Sequence, residues 1–277
     1  MIYIPSMKDS DGAGVISAIA AASGSFNYTT LNSTATEGNT KDAINTFVIR
    51  LKNAGIWEKI GGLWGYVGAN AASHAINWKT LSSGTWNGTL THSTGGTTGD
   101  GSTGYLNTGI LATSVGSSTS GWMAVYSRTV SSSTADLVEL GSEGAGSTYY
   151  GNTLKVGGSA NPAGRSCNIG GTRGTESAYY SSDDSSGLFL GSRTSSTLIT
   201  LYRNGVSKAT YTSTVSSPAS INVFVHATNG NGSVCFCSNR QLCLAVLGAS
   251  GTSLSSAESD TFNTIVQELQ TRLGRNV

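Results

Sequence analysis

Apolar residues occur along most of this chain in short runs broken by Gly, Ser, Thr and Asn, a spacing that predicts strands rather than helices. The clearest case is Leu198 to Tyr211, where two runs rich in β-branched and aromatic residues flank Asn204-Gly205. A type I′ turn needs positive φ at both central residues. Asn-Gly supplies this at least steric cost, so the stretch predicts a hairpin in the middle of a large antiparallel sheet. Gly121 to Thr129 alternates Trp122, Ala124 and Tyr126 on one face with Met123 and Val125 on the other. Both faces are apolar, as in a strand inside a sandwich. Further short strands are predicted at Ile2 to Ile4, Ile76 to Trp78, Tyr105 to Ile110, Ala135 to Leu140, Tyr149 to Val156, Cys167 to Ile169, Leu188 to Gly191, Ile221 to Ala227, Val234 to Cys237 and Leu242 to Leu247. Many short strands joined by turn residues indicate a mainly β fold, a sandwich or jelly roll. Leu81 to Leu90, which carries Trp86, reads as loop, and so does the Thr, Gly, Ser and Asp stretch from Thr91 to Gly104.

The period changes in two places. In Thr40 to Ile60, Ile44, Phe47, Val48 and Leu51 form one apolar helix face, with Thr40 as N-cap, Asp42 in the first turn and Gly55 as the stop. Near the end, Ser255-x-x-Glu258 is a capping box. It opens a helix with Phe262, Ile265, Val266, Leu269 and Leu273 as its stripe, and Gly274 stands at its C′ position. This helix is expected to pack on the sandwich or against the first helix. Residues 11–22 read as a weak Ala-rich helix in an arm that buries little by itself and would dock onto a neighbouring molecule. The organisation predicted is an N-terminal arm and helix (1–62), a sandwich (63–254) and a C-terminal helix (255–277).

Composition narrows the partners. Of 277 residues, 37 are Gly, 3 are Pro and 11% are charged, with a formal net charge of +1. Such a surface gives no electrostatic reason to expect nucleic acid or anionic lipid; it suits packing among proteins or binding of neutral ligands such as sugars. No apolar run reaches transmembrane length. Ala13 to Ala22 resembles a signal h-region, but Asp9 and Asp11 stand where positive charge belongs. Sequons begin at Asn27, Asn32, Asn87 and Asn231, as a composition this rich in Asn, Ser and Thr produces by itself. Cys167, Cys235, Cys237 and Cys243 read as small buried thiols. A Cys237–Cys243 disulfide stays geometrically open, and a zinc site lacks the usual paired spacing.

Candidate chemistry is sparse. Gly99-x-Gly101-x-x-Gly104 matches a dinucleotide fingerprint by letter, but neither the preceding strand nor the following helix is predicted. His74, His92 and His226 lie far apart in sequence and read as structural. Glycoside hydrolysis needs two carboxylates across the scissile bond. Glu139 with Glu143, or Asp183 with Asp184, are the nearest pairs, and neither alternates on one strand face as required. Asp183 and Asp184 also offer a calcium-binding loop. For sugar binding, the candidate platforms are Tyr149, Tyr150, Tyr179, Tyr180 and Trp86. In each Tyr pair a strand would turn one ring away from the core. No catalytic residue, metal ligand or cofactor is assigned.

Two segments carry a resemblance. The first is Ala43 to Arg128: an Ile44-Asn45-Thr46-Phe47 helix, then Leu51-Lys52-Asn53-Ala54-Gly55-Ile56-Trp57-Glu58-Lys59, Tyr66-Val67-Gly68, Ser73-His74-x-x-Asn77-Trp78-Lys79, Thr91-His92-Ser93-Thr94-Gly95 and Gly101-Ser102-Thr103-Gly104-Tyr105, ending in Tyr126-Ser127-Arg128-Thr129. The second is Leu201-Tyr202-Arg203-Asn204-Gly205, leading to Ser238-Asn239-Arg240 and the Phe262 to Gly274 helix. Together they resemble structural proteins of tailed bacteriophages that carry a concanavalin A-like (laminin G-like) sandwich between a helical N-terminal segment and a C-terminal helix. The resemblance implies a non-enzymatic virion component, on the tail or decorating the capsid. It would be homo-oligomeric, in contact with other virion proteins, and assembled in host cytoplasm with free thiols. A carbohydrate-binding receptor module of the tail is the alternative, and a glycan hydrolase a third. The resemblance supplies no site motif.

Overall fold

The computed structural model describes residues 12–23, 40–130, 136–144, 150–157, 165–172, 177–180, 185–212 and 214–277. The strand expected at Ile2 to Ile4, the sequons at Asn27 and Asn32, and Tyr149, Asp183 and Asp184 lie outside them. The described residues form a two-sheet β-sandwich with one layer of helices, the mainly β class expected.

The first sheet runs β13 (Val206–Tyr211), β12 (Leu198–Arg203), β11 (Gly187–Ser195), β6 (Gly121–Ser127), β17 (Gln241–Gly248), β4 (Gly96–Gly99) and β3 (Leu90–Ser93), with β1 (Ile60–Trp64) also paired to β17. The second runs β10 (Ala178–Tyr180), β9 (Arg165–Thr172), β8 (Tyr150–Lys155), β7 (Leu140–Glu143), β14 (Asn222–Val225), β5 (Tyr105–Leu111) and β2 (Thr85–Asn87). A short parallel strand, β15 (Thr228–Gly230), joins β7 and pairs in turn with β16 (Ser233–Cys235). Asn204 and Gly205 take φ of 48° and 78°, so the β12–β13 hairpin has its expected turn.

The alternation in β6 divides the core in two. Met123 and Val125 face the second sheet, where they meet Leu106, Leu140, Leu154 and Val225. Trp122, Ala124 and Tyr126 face the helices with Leu188, Leu190, Leu244 and Val246. Over that face lie α2 (Thr40–Asn53) and α4 (Ser256–Arg272). Their stripes, Ile44, Phe47 and Leu51 and Phe262, Ile265, Val266 and Leu269, are buried as the periodicity predicted. Phe262 meets the Trp122 ring edge-on at 5.4 Å. The capping box is present, with Ser255 N donating to Glu258 Oε2 at 2.9 Å. Gly55 and Gly274 end the helices at φ of 68° and 64°.

Several expectations are corrected. Helix α1 (Ala13–Ser23) does form, but Val15 and Ile19 are buried against the chain's own helical layer, and Gly12 N donates to Asn45 Oδ1 at 2.9 Å. These residues of the arm are therefore docked at home rather than held for a neighbour. Thr40 is already helical rather than flanking. The stretch read as loop holds three strands, β2 with Trp86, β3 and β4; ladder pairing, not apolar alternation, makes them strands. The strand expected at Ala135 to Leu140 begins where that expectation ended, at Leu140, and runs on to Glu143. Cys237 and Cys243 sit in different core clusters and the thiols are free.

Gly191 of β11 faces Cys167 of β9 across the two sheets, and a Cβ at 191 would collide with Cys167 Sγ. Gly191→Ala is therefore expected to lower stability by about 1–3 kcal/mol. Adding Cys167→Ala should restore part of the loss. Urea midpoints of the two single variants and the double variant check both statements.

Candidate functional site

The described residues bring together side chains that the sequence left scattered. After β1 the backbone turns sharply, with left-handed φ at Tyr66 (46°), Gly68 (114°) and Ala69 (58°). It then enters the single-turn helix α3 (Ala71–His74), where Asn70 Oδ1 accepts from Ser73 N at 2.9 Å. This turn sets His74 against β3. Ala69 N donates to His74 Nε2 at 3.1 Å, and His74 Nδ1 lies 3.2 Å from His92 Nδ1. His92 stands opposite Thr97 across the β3–β4 ladder, and Thr97 Oγ1 is 2.7 Å from His226 Nε2. All three histidines of the chain thus form one row. Trp86 from β2 packs edge-on to His92 at 4.8 Å, and its Nε1 donates to Ala71 O at 2.8 Å. The Tyr66 ring lies 5.7 Å from His74 and 6.3 Å from Trp86.

Trp86 and His92 are half-buried, whereas Tyr66, His74 and His226 are buried. Beside them a small cleft is lined by Val67, Gly68, Thr94, Leu273 and Arg275. Arg275 is committed to the fold: it donates to Tyr66 O at 3.0 Å, Gly65 O at 3.1 Å and Gln270 Oε1 at 3.0 Å. Burial pushes His74 down to about 2, helped by the nearby His92 and Arg275. Burial, then His92, takes His226 down to about 3. His92 is lowered by burial. Burial thus favours the neutral form of each imidazole. Among the described residues no group of three or more His, Cys, Asp or Glu is arranged to hold a metal ion.

Glu139 is fully buried in the bend before β7; its Oε1 accepts from Arg240 Nη1 at 2.7 Å and Ser238 Oγ at 2.9 Å, and its Oε2 from Val156 N at 2.8 Å. Glu143 is buried at the end of β7. Lys155, with no solvent exposure, pairs with Asp136. Of the aromatic platforms, Tyr180 packs on the core between the sheets and Tyr179, its neighbour in β10, takes the other face and is half-exposed. Tyr150 lies in β8. Trp86 is in a strand, not a loop, and stands beside His92; its strand β2 and the β10 of Tyr179 and Tyr180 lie at opposite ends of the second sheet's strand order. The histidine row was missed because its members come from α3, β3 and the turn after β14, which meet only in the packed sandwich. The one usable signal was a His within the Thr-rich stretch.

No protein-family model matches the chain, and no curated protein does. Among solved structures it is similar to domain 4 of AbnA, a GH43 extracellular arabinanase from Geobacillus stearothermophilus, in complex with arabinotriose, with a TM-score of 0.49 and 12% identity over 74% of this chain and 98% of that one. It is also similar to a mutant of Trypanosoma rangeli sialidase displaying trans-sialidase activity (TM-score 0.43, 12% identity, 82% of this chain and 39% of that one). A third is the botulinum neurotoxin serotype G binding domain (TM-score 0.40, 11% identity, 75% of this chain and 51% of that one).

Two predictions follow from the buried charges. Glu139→Gln leaves Arg240 buried without its counter-charge and is expected to cost about 3–5 kcal/mol, measurable by chemical denaturation. The histidines make stability pH-dependent. Unfolded histidines titrate near ~6.5, whereas the fold resists protonation of His74 and His226 until far lower pH. Above ~6.5 both states are neutral and nothing is lost. Below it the unfolded chain takes up protons that the fold refuses, so stability should fall by roughly 1.4 kcal/mol per pH unit for each such histidine. Urea unfolding at pH 7, 6 and 5 reads that slope.

Proposed function

We propose that this chain is a non-catalytic component of a bacteriophage particle, exposed on the capsid or tail as a homo-oligomer among other virion proteins, with a lectin-like sandwich. One observation supports the reading above others: the residues that carry the resemblance are joints between the helical layer and the sandwich. Asn77 Oδ1 accepts from Leu63 N at 3.1 Å and Lys79 N at 3.0 Å. Trp78 is buried edge-on to Phe47, with ring centroids 6.2 Å apart. Lys79 Nζ donates to Trp57 O at 2.9 Å. At the other end, Tyr126 OH donates to Asn276 Oδ1 at 2.6 Å and Arg128 Nε to Arg275 O at 3.1 Å. Motif residues spent on joining layers serve a rigid building block better than a reaction centre. The full commitment of Glu139 to Arg240, Ser238 and Val156 also argues against it as an acid catalyst.

A second reading, glycan binding, has its own observation. The Trp86 indole is half-buried, its N–H is satisfied by Ala71 O and its ring is held by His92, so the ring is a fixed apolar platform.

Antibody labelling of intact particles should decorate a regular position on the head or tail. Particles that carry no label would sink the virion reading. On a glycan array, the oligomeric protein should bind through Trp86, with Trp86→Ala reducing the signal at least about tenfold, a loss comparable to one well-placed aromatic contact. An empty array would remove the second reading and leave the first standing.

A further inference from the structure

We infer that the row His74–His92–His226 is an acid-sensitive latch. With neutral rings it holds the Tyr66 to Asn70 loop and α3 against the β3–β4 hairpin; a proton on His92 releases them. The inference does not depend on the proposed function.

Proton counting carries it. His74 Nε2 accepts from Ala69 N at 3.1 Å, so the single proton of this neutral ring is on Nδ1. That N–H points at His92 Nδ1, 3.2 Å away, which must then be bare and accepting. When His92 takes up a proton, it does so at this same Nδ1, and two N–H donors then face each other with no acceptor between them. His74 cannot escape by changing tautomer, because its Nε2 is already the acceptor for Ala69. Either the His74–His92 bond or the Ala69–His74 bond has to break.

The loop is built to move when that happens. Tyr66 and Ala69 occupy left-handed φ values that non-glycine residues adopt only when surrounding contacts hold them. The hydrogen bond from Ala69 to His74 is one of those contacts. The groups around His92 give a new positive charge no relief. From α3 it faces His74, and across β4 it faces Thr97 and, through it, His226. Trp86 approaches from β2, and Tyr66 lies behind His74. The cation Arg275 stands near His74, and Arg128 lies near β3 through Gln241, which reaches Ser93. Asp100, just after β4, is spent on Ser102, Thr103 and Gly104. Among the described residues no carboxylate pairs with any of the three histidines. The cleft of Val67, Gly68, Thr94, Leu273 and Arg275 borders the loop, so release would widen it.

Hydrogen exchange of the full chain, read by mass spectrometry and corrected for the chemical exchange rate, tests the latch. Between pH 7.5 and ~4.5, spanning the ordinary histidine range, exchange over residues 66–74 is expected to rise at least about tenfold while α4 stays protected. His92→Gln presents a carbonyl oxygen that accepts from His74 Nδ1 at any pH, so its exchange should stay flat. The inference is overturned if the wild type shows no rise, if His92→Gln shows the same rise, or if α4 opens in parallel, which would be global acid unfolding. Should His92→Gln fail to fold, nitrogen NMR of the three wild-type imidazoles decides alone. A neutral His74 protonated on Nδ1 at pH 7.5 supports the latch; protonation on Nε2 rules it out.

Discussion

The fold depends on three neighbouring strands, β11, β6 and β17, being apolar on both faces. A sheet with one dry face needs only a second sheet. A sheet with two dry faces needs a roof as well, and here α1, α2 and α4 supply it. The central strands make this unavoidable: every residue of β6 from Gly121 to Ser127 is buried. Burying such side chains on both sides is worth about 1.5–3 kcal/mol for each large one. The helical layer is therefore part of the core and not an appendage, and β1 and the C-terminal tail are drawn in with it.

The same burial sets the electrostatics. A charge taken out of water must be paired, and a titratable group without a partner stays neutral. Both solutions occur. Glu139 and Arg240 are paired and further bonded to Ser238 and Val156 N. The histidines take the other course: with no carboxylate opposite them among the described residues, burial favours their neutral form, and their hydrogen bonds then dictate which nitrogen keeps its proton. Glu139 is bound into the framework, and the three histidines, scattered in the sequence, meet in one row.

The amino-acid sequence by itself determined the elements whose signal is local. The Asn204-Gly205 turn, the Ser255 to Glu258 capping box, the stripes of α2 and α4 and the two-sided β6 all follow from spacing and turn chemistry within a few residues, and the structure has each. Its failures have one cause. Apart from Leu90, β3 and β4 are made of Thr, Ser, Gly and His, and they are strands because β17 offers β4 a ladder to extend. The strand at Leu140 to Glu143 is defined by its ladders with β8 and β14, which local spacing does not specify. Helix α1 was visible as a helix but not as a docked one, because its partners lie beyond residue 40. The histidine row belongs to this second class: nothing local joins His74, His92 and His226. Their meeting, and hence their protonation, was decided by tertiary structure, because hydrogen bonding and desolvation act between side chains that only the packed sheets bring within reach.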